Sequence, residues 1–165
     1  MTVPTRCYGR IMATVAMSHT ALCVSDLERS VRFYTEGLGY QLLERHESGD
    51  EVAGLCEIKM PPPIKMVVQF MALDGIKLEL VHWPLPGVYG HPSPSRNQLG
   101  LTHLSYEVTD LPEVEARLIV LGARLIDGTR HHTDTPKYQV DMVFLADPDG
   151  TRIELVEHHP AGDGQ

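Results

Sequence analysis

The octapeptide DGIKLELV, starting at Asp74, returns as DGTRIELV at Asp149, and the echo is wider than eight letters. SHTALCVSDLERSVRFYTEGLGYQLL and LTHLSYEVTDLPEVEARLIVLGARLI share a His, then Val-x-Asp-Leu, then an apolar-periodic stretch ending in Leu-Gly. His19 and His103 are 103 − 19 = 84 residues apart, and Asp26 and Asp110 are 110 − 26 = 84 apart, so one register holds across both copies. In a chain of 165 residues such a repeat points to two small fused halves.

Each half opens with an alternating strand, Ser18–Val24 and Thr102–Val108, the period-two pattern of a half-buried strand. A helix follows in each. Ser25 with Glu28 forms a capping-box signature, and Leu27, Val31, Tyr34 and Leu38 recur at helical spacing until Gly39 permits a stop. In the second copy Asp110 and Glu113 cap, Pro112 is tolerated in the first turn, and Leu111, Val114, Leu118 and Leu121 make the stripe before Gly122. Strands at Tyr40–Glu44, Lys65–Leu73 and Lys77–Trp83 complete the first half, with counterparts ending at Arg152–Glu157 in the second. Asp74-Gly75 and Asp149-Gly150 read as tight turns between antiparallel strands.

The predicted fold is therefore α+β, two tandem βαβββ modules at 18–83 and 101–157. A Pro-rich linker at 84–100 joins them, a flexible leader spans 1–17 and a polar tail spans 158–165. Apolar residues make up 42% and charged residues 22%, with no apolar run long enough for a bilayer, so a soluble protein is expected. The net charge of −8 and scattered basic residues argue against nucleic acid or anionic membrane as partners. Cys7, Cys23 and Cys56 form neither a disulfide framework nor a CxxC metal motif, which suits a reducing cytoplasm.

Each octapeptide sets a glutamate, Glu79 or Glu154, in an otherwise apolar strand. Taking a carboxylate out of water costs on the order of several kcal/mol unless it is compensated. Residues two apart on a strand share a face, so each half offers one His from its first strand and one Glu from its last. If those strands are neighbours, His19, Glu79, His103 and Glu154 make a His2Glu2 set for a shared cleft. Two neutral imidazoles and two carboxylates balance a divalent cation, and the mixed donors suit Ni, Zn, Co, Mn or Fe. On the same faces, Cys23, Trp83 and Glu107 are candidate substrate contacts, and His131 is expected on a loop at the cleft mouth.

HTALCVSDLERSVRFYTEGLGY and FLADPDGTRIELVE resemble the first strand and helix and the last hairpin of the vicinal oxygen chelate superfamily, also called the glyoxalase/bleomycin resistance/dioxygenase group. The likeness spans residues 18 to 157 with module order intact. It implies paired βαβββ modules with curled mixed sheets around one divalent metal, commonly in homodimers, with metal positions falling on His19, Glu79, His103 and Glu154. Within the superfamily the ligand pattern most resembles glyoxalase I, which isomerises the glutathione hemithioacetal of methylglyoxal. Two positions depart: Cys23 stands where that enzyme commonly has an Arg for the glutathione carboxylate, and Trp83 where it commonly has an Asn. Both weigh against glutathione as substrate.

The reading is a metal-dependent isomerase, epimerase or lyase acting on a small molecule with adjacent oxygens through an enolate or enediolate, with Glu154 or Glu79 as general base. Two alternatives stand beside it. One is a non-catalytic protein that sequesters a small molecule, as bleomycin-binding members do. The other is an extradiol-type ring-cleaving dioxygenase, whose usual Tyr ahead of the Asp-Pro turn is Phe144 here.

Overall fold

The computed structural model describes residues 15–52, 62–135 and 138–160, so most of the expected leader, with Cys7 and Cys56, lies outside the described residues. The first half comprises β1 (Thr20–Cys23), α1 (Leu27–Arg32), β2 (Gln41–Ser48), β3 (Lys65–Leu73) and β4 (Ile76–Leu85). Its sheet runs β1-β4-β3-β2, with β1 parallel to β4 and the other pairs antiparallel. The short strand that begins the half is thus hydrogen-bonded beside the one that ends it, which brings His19, just ahead of β1, next to Glu79 on β4.

Asp26, not Ser25, caps α1: its carboxylate accepts from the Arg29 N–H at 3.0 Å. Ser25 is drawn away, giving its N–H and its hydroxyl to Asp149 in the other half. The helix then widens into a π-helical turn, Phe33–Gly37. That extra width rotates two sequence neighbours, Phe33 and Tyr34, inward together, and both are fully buried. Gly39, at φ 85, ends the helix as expected. The β3–β4 hairpin turns on Asp74 (φ 49) and Gly75 (φ 79), both left-handed, the requirement of a two-residue turn matched to strand twist.

The second half comprises β5 (Leu104–Glu107), α2 (Leu111–Val120), β6 (Arg124–Leu125), β7 (His131–Asp134), β8 (Gln139–Ala146) and β9 (Arg152–His159). Its order is β5-β9-β8-β6, with β7 also on β8 and β5 parallel to β9. β6 and β7 together take the place that β2 has in the first half. Leu125 faces Leu145 and His131 faces Met142, so residues 126–130 arch out opposite Val143 and Phe144 alone. The Ile126 N–H and the Thr129 hydroxyl both bond to the Phe144 carbonyl and hold the arch shut.

Three expectations change here. His131 and His132 lie on β7 rather than on a loop. The second Asp-Gly does not make the tight turn of the first. Asp147 precedes it and accepts the N–H groups of Asp149 (3.0 Å) and Thr151 (2.7 Å) on one oxygen, closing a longer loop in which Gly150 alone is left-handed. β9 also runs on to His159, past the expected start of the tail, and His159 Nε2 sits 2.8 Å from Asp141 on β8.

The two halves share one core. Leu22, Phe33, Tyr34, Leu78 and Leu80 from the first pack in the same buried cluster as Leu111, Leu118, Val143, Ile153 and Leu155 from the second. Helices approach closely at Gly37, where an added Cβ would lie 2.6 Å from Leu118, and Arg117 donates to the Gly37 carbonyl at 3.0 Å. Across this junction Tyr34 donates its hydroxyl to the buried Asp147 carboxylate at 2.9 Å, and the Tyr40 and Tyr106 hydroxyls meet at 3.2 Å. One face of each sheet is therefore taken up by helix and core. The other face of each carries the His and Glu side chains.

Candidate metal centre

Parallel pairing sets Ala21 opposite Glu79 and Ser105 opposite Glu154, each one step along from its histidine's end of the strand. His19 Nε2 lies 3.0 Å from Glu79 Oε2, and His103 Nε2 lies 3.4 Å from Glu154 Oε2. The two carboxylates are only 17% and 15% exposed, and among the described residues no lysine or arginine comes within ion-pair distance of either. Desolvated acids are thus left facing only imidazoles.

Each pair has the same surroundings. A hydroxyl from the preceding residue meets the other ring nitrogen: Ser18 Oγ at 3.0 Å from His19 Nδ1, and Thr102 Oγ1 at 2.9 Å from His103 Nδ1. When Nδ1–H donates to that hydroxyl, Nε2 keeps its lone pair for a cation. A phenylalanine opposite each glutamate then stands edge-on to the imidazole, Phe70 at 5.5 Å from His19 and Phe144 at 5.3 Å from His103. Neither the hydroxyls nor the phenylalanines were among the expected site residues. The signal for the hydroxyls was present, because Ser18 and Thr102 are also 102 − 18 = 84 apart.

The chemistry of the donors, not yet their number, suits a divalent metal. Each couple supplies one imidazole nitrogen and one carboxylate oxygen, the mixed donors a divalent ion takes. Within one chain the pairs do not merge: among the described residues no group of three or more His, Cys, Asp or Glu is close enough to share an ion. Each chain holds two separate His–Glu couples.

Other expected contacts are spread around these pairs. Cys23 is exposed on β1 and lines a cleft of about 480 Å3 together with Thr102, His103, Arg152 and the linker residues Tyr89 and Leu99. Burial, and then the nearby Asp149, push its thiol above the ordinary value. Trp83 is only 8% exposed and packs with Val52 and Ile64 in a small separate cluster, so it supports the sheet more than it presents a surface. Glu107 is exposed at the end of β5. His131 faces Met142, which faces Val156, so it shares the Glu154 face two strands away, outside the residues that line the cleft.

Comparison with known proteins agrees with this architecture. The lactoylglutathione lyase of Escherichia coli O157:H7 is 30% identical over 147 residues, covering 88% of this chain and 95% of that protein. A glyoxalase family protein from Bacillus cereus matches in structure with a TM-score of 0.72 at 20% identity, covering 91% of this chain and 98% of that one. The trypanothione-dependent glyoxalase I of Leishmania major matches with a TM-score of 0.57 at 25% identity, covering 87% of each. With residues 16–155 matching that family throughout, the chain belongs to the Glyoxalase/Bleomycin resistance protein/Dioxygenase superfamily.

Proposed function

We propose that this protein is a divalent-metal-dependent lyase or isomerase that moves a proton on a small molecule bearing adjacent oxygens. The observation that carries the reading is the pair of equivalent His–Glu couples, 3.0 and 3.4 Å between donor atoms, each backed by a hydroxyl and a phenylalanine. The relatives named lactoylglutathione lyase support the same chemistry.

His19 and Glu79 would hold the metal from one side and His103 and Glu154 from the other. A bound divalent cation supplies Lewis-acid polarisation of neighbouring substrate oxygens. Because the couples stay apart within one chain, we place the full site in a homodimer, the first-half couple of one copy facing the second-half couple of the other. Ser18 and Thr102 set the ring orientation. Glu154 or Glu79 accepts the substrate proton at a carboxylate oxygen; its return to the adjacent carbon gives isomerisation, and delivery of a proton by the other glutamate to the opposite face of the same carbon gives epimerisation. Phe70 and Phe144 pack edge-on against the imidazoles and help to fix their rings.

Cys23 removes the cation that a glutathione carboxylate would meet on β1, so the thiol carrier, if the substrate has one, differs from glutathione. A reducing cytoplasm is the compartment we assign. The test is metal analysis of protein purified without added metal, followed by deuterium wash-in with metal-loaded enzyme and a panel of 2-oxoaldehyde hemithioacetals and 2-oxo acids. Metal at about one ion per chain, with solvent deuterium entering substrate carbon and lost together in His103→Ala and Glu154→Gln, supports the reading. Full exchange activity in metal-free protein or in Glu79→Gln, Glu154→Gln would sink it.

A further inference from the structure

Arg152 occupies the same place in its octapeptide that Lys77 occupies in the first. Lys77 is exposed, whereas Arg152 is half-buried in the wall of the cleft that His103 also lines. It lies two residues before Glu154 on β9 and therefore on the same face. One of its terminal nitrogens donates to the Pro94 carbonyl at 2.7 Å, but its Nε is buried with no acceptor. That latch brings the linker over the sheet, and two residues later Arg96 places its guanidinium 4.5 Å over the ring of Phe144, the residue opposite Glu154.

The remaining arginines show that these two are set apart. Arg29, Arg32, Arg45, Arg117 and Arg130 each hold a carboxylate at 2.5 to 3.0 Å. Arg96 and Arg152 hold none among the described residues, and the other without one, Arg124, lies on the exposed edge strand β6. In a chain of net charge −8, two guanidiniums thus stand without an ion pair near one His–Glu couple, and although Asp149 also lines the cleft it is taken by Arg29, so their terminal N–H groups are left for a ligand.

We propose that Arg152, assisted by Arg96, is an anion-recognition subsite beside the His103–Glu154 couple, so that the substrate is a small organic anion whose carboxylate or phosphate is held by the guanidinium fork while its adjacent oxygens reach the metal side. The assignment rests on the proposed function for the reacting end only. The anion-binding half stands on the arginines themselves. Planar carboxylate and tetrahedral phosphate both match a guanidinium fork in two parallel bonds.

Titration calorimetry on the full chain stripped of metal separates the two halves of the idea, with benzoate, its neutral analogue benzamide and inorganic phosphate as probes. Benzoate or phosphate should bind, benzamide about tenfold more weakly or not at all, and Arg152→Gln should weaken the anion about tenfold while Arg124→Gln leaves it unchanged. His103→Ala should keep anion binding within about threefold while abolishing metal uptake, and unaltered protein that takes up no metal yet binds the anion removes the enzyme reading and leaves this one. Equal binding of benzoate and benzamide, no binding of either anion, or an unchanged anion affinity in folded Arg152→Gln overturns it. If Arg152→Gln does not fold, Arg96→Gln carries the test: about threefold weaker anion binding is expected, and unchanged affinity overturns the proposal.

Discussion

The hydroxyl of Tyr34 ties the two halves together through a single buried bond, and Tyr34→Phe isolates it with no change in shape. Tyr34 is fully buried, and Asp147 is 1% exposed. The two backbone donors to Asp147, from Asp149 and Thr151, both go to Oδ1, whereas Tyr34 serves Oδ2. Removing the hydroxyl leaves Oδ2 without a donor among the described residues. A hydrogen bond to a charged group contributes about 1.5–3 kcal/mol, and an orphaned buried acceptor pushes the loss to the upper half of that range. For a chain of this size that lowers Tm by about 4–12 °C. The pH dependence gives a second handle. Burial raises the Asp147 carboxyl above its ordinary value, and the Tyr34 hydrogen bond opposes the rise. A raised carboxyl is stabilising in its protonated form below the ordinary value, and that contribution is lost as pH climbs through the raised one. Phe at 34 raises it further, so the deficit of the variant must be larger at pH 7 than near pH 4.5. Urea unfolding followed by Trp83 fluorescence at both pH values measures it. A deficit below about 0.5 kcal/mol at pH 7, or one equal at both pH values, refutes the reasoning.

Alkaline unfolding should release buried phenols. Burial first, then Tyr40, holds the Tyr106 phenol far above the ordinary value, and burial first, then Asp147, does the same for Tyr34. Because the folded state keeps protons that the unfolded chain loses near pH 10, stability falls by about 1.4 kcal/mol per pH unit for each such phenol above that point. Absorbance at 295 nm should therefore rise for these groups only with loss of the circular-dichroism signal, whereas a reversible rise in folded protein would contradict their burial. Gly37→Ala drives a Cβ to 2.6 Å from the buried Leu118 and should cost about 1–3 kcal/mol in chemical denaturation. Thr102→Val should weaken metal binding about tenfold in a chelator competition while leaving stability within about 1 kcal/mol, since the hydroxyl acts through the orientation of His103.

Much of this architecture was legible because the repeat supplies its own control. A single His or Glu on a strand says little, but His19 with His103 and Glu79 with Glu154 recur at matched places, and parallel pairing of first and last strands does place each couple side by side. What escaped was decided by contacts between the halves or by local competition. Ser25 looked like the helix cap, yet Asp149 claimed it from 124 residues away. The two Asp-Gly dipeptides turn differently because Asp147 can gather N–H groups of its own loop, and nothing in the first copy does this. The broken strand β6–β7 hides behind a sequence that alternates poorly, since Thr129 satisfies the backbone of β8 where a regular ladder would have. Arg152 gave no signal by type, because its chemistry lies in the linker that covers it.

Subunit complementation tests the central claim most directly. His19→Ala and His103→Ala are produced with different affinity tags and isolated as a heterodimer, and tightly bound metal is counted. If couples from opposite halves of two copies complete each site, one site in the heterodimer loses both imidazoles and the other keeps both, so about one ion per dimer returns where each homodimer binds essentially none. A heterodimer as empty as its parents, or parents that retain the full metal content of the unaltered protein, would contradict it.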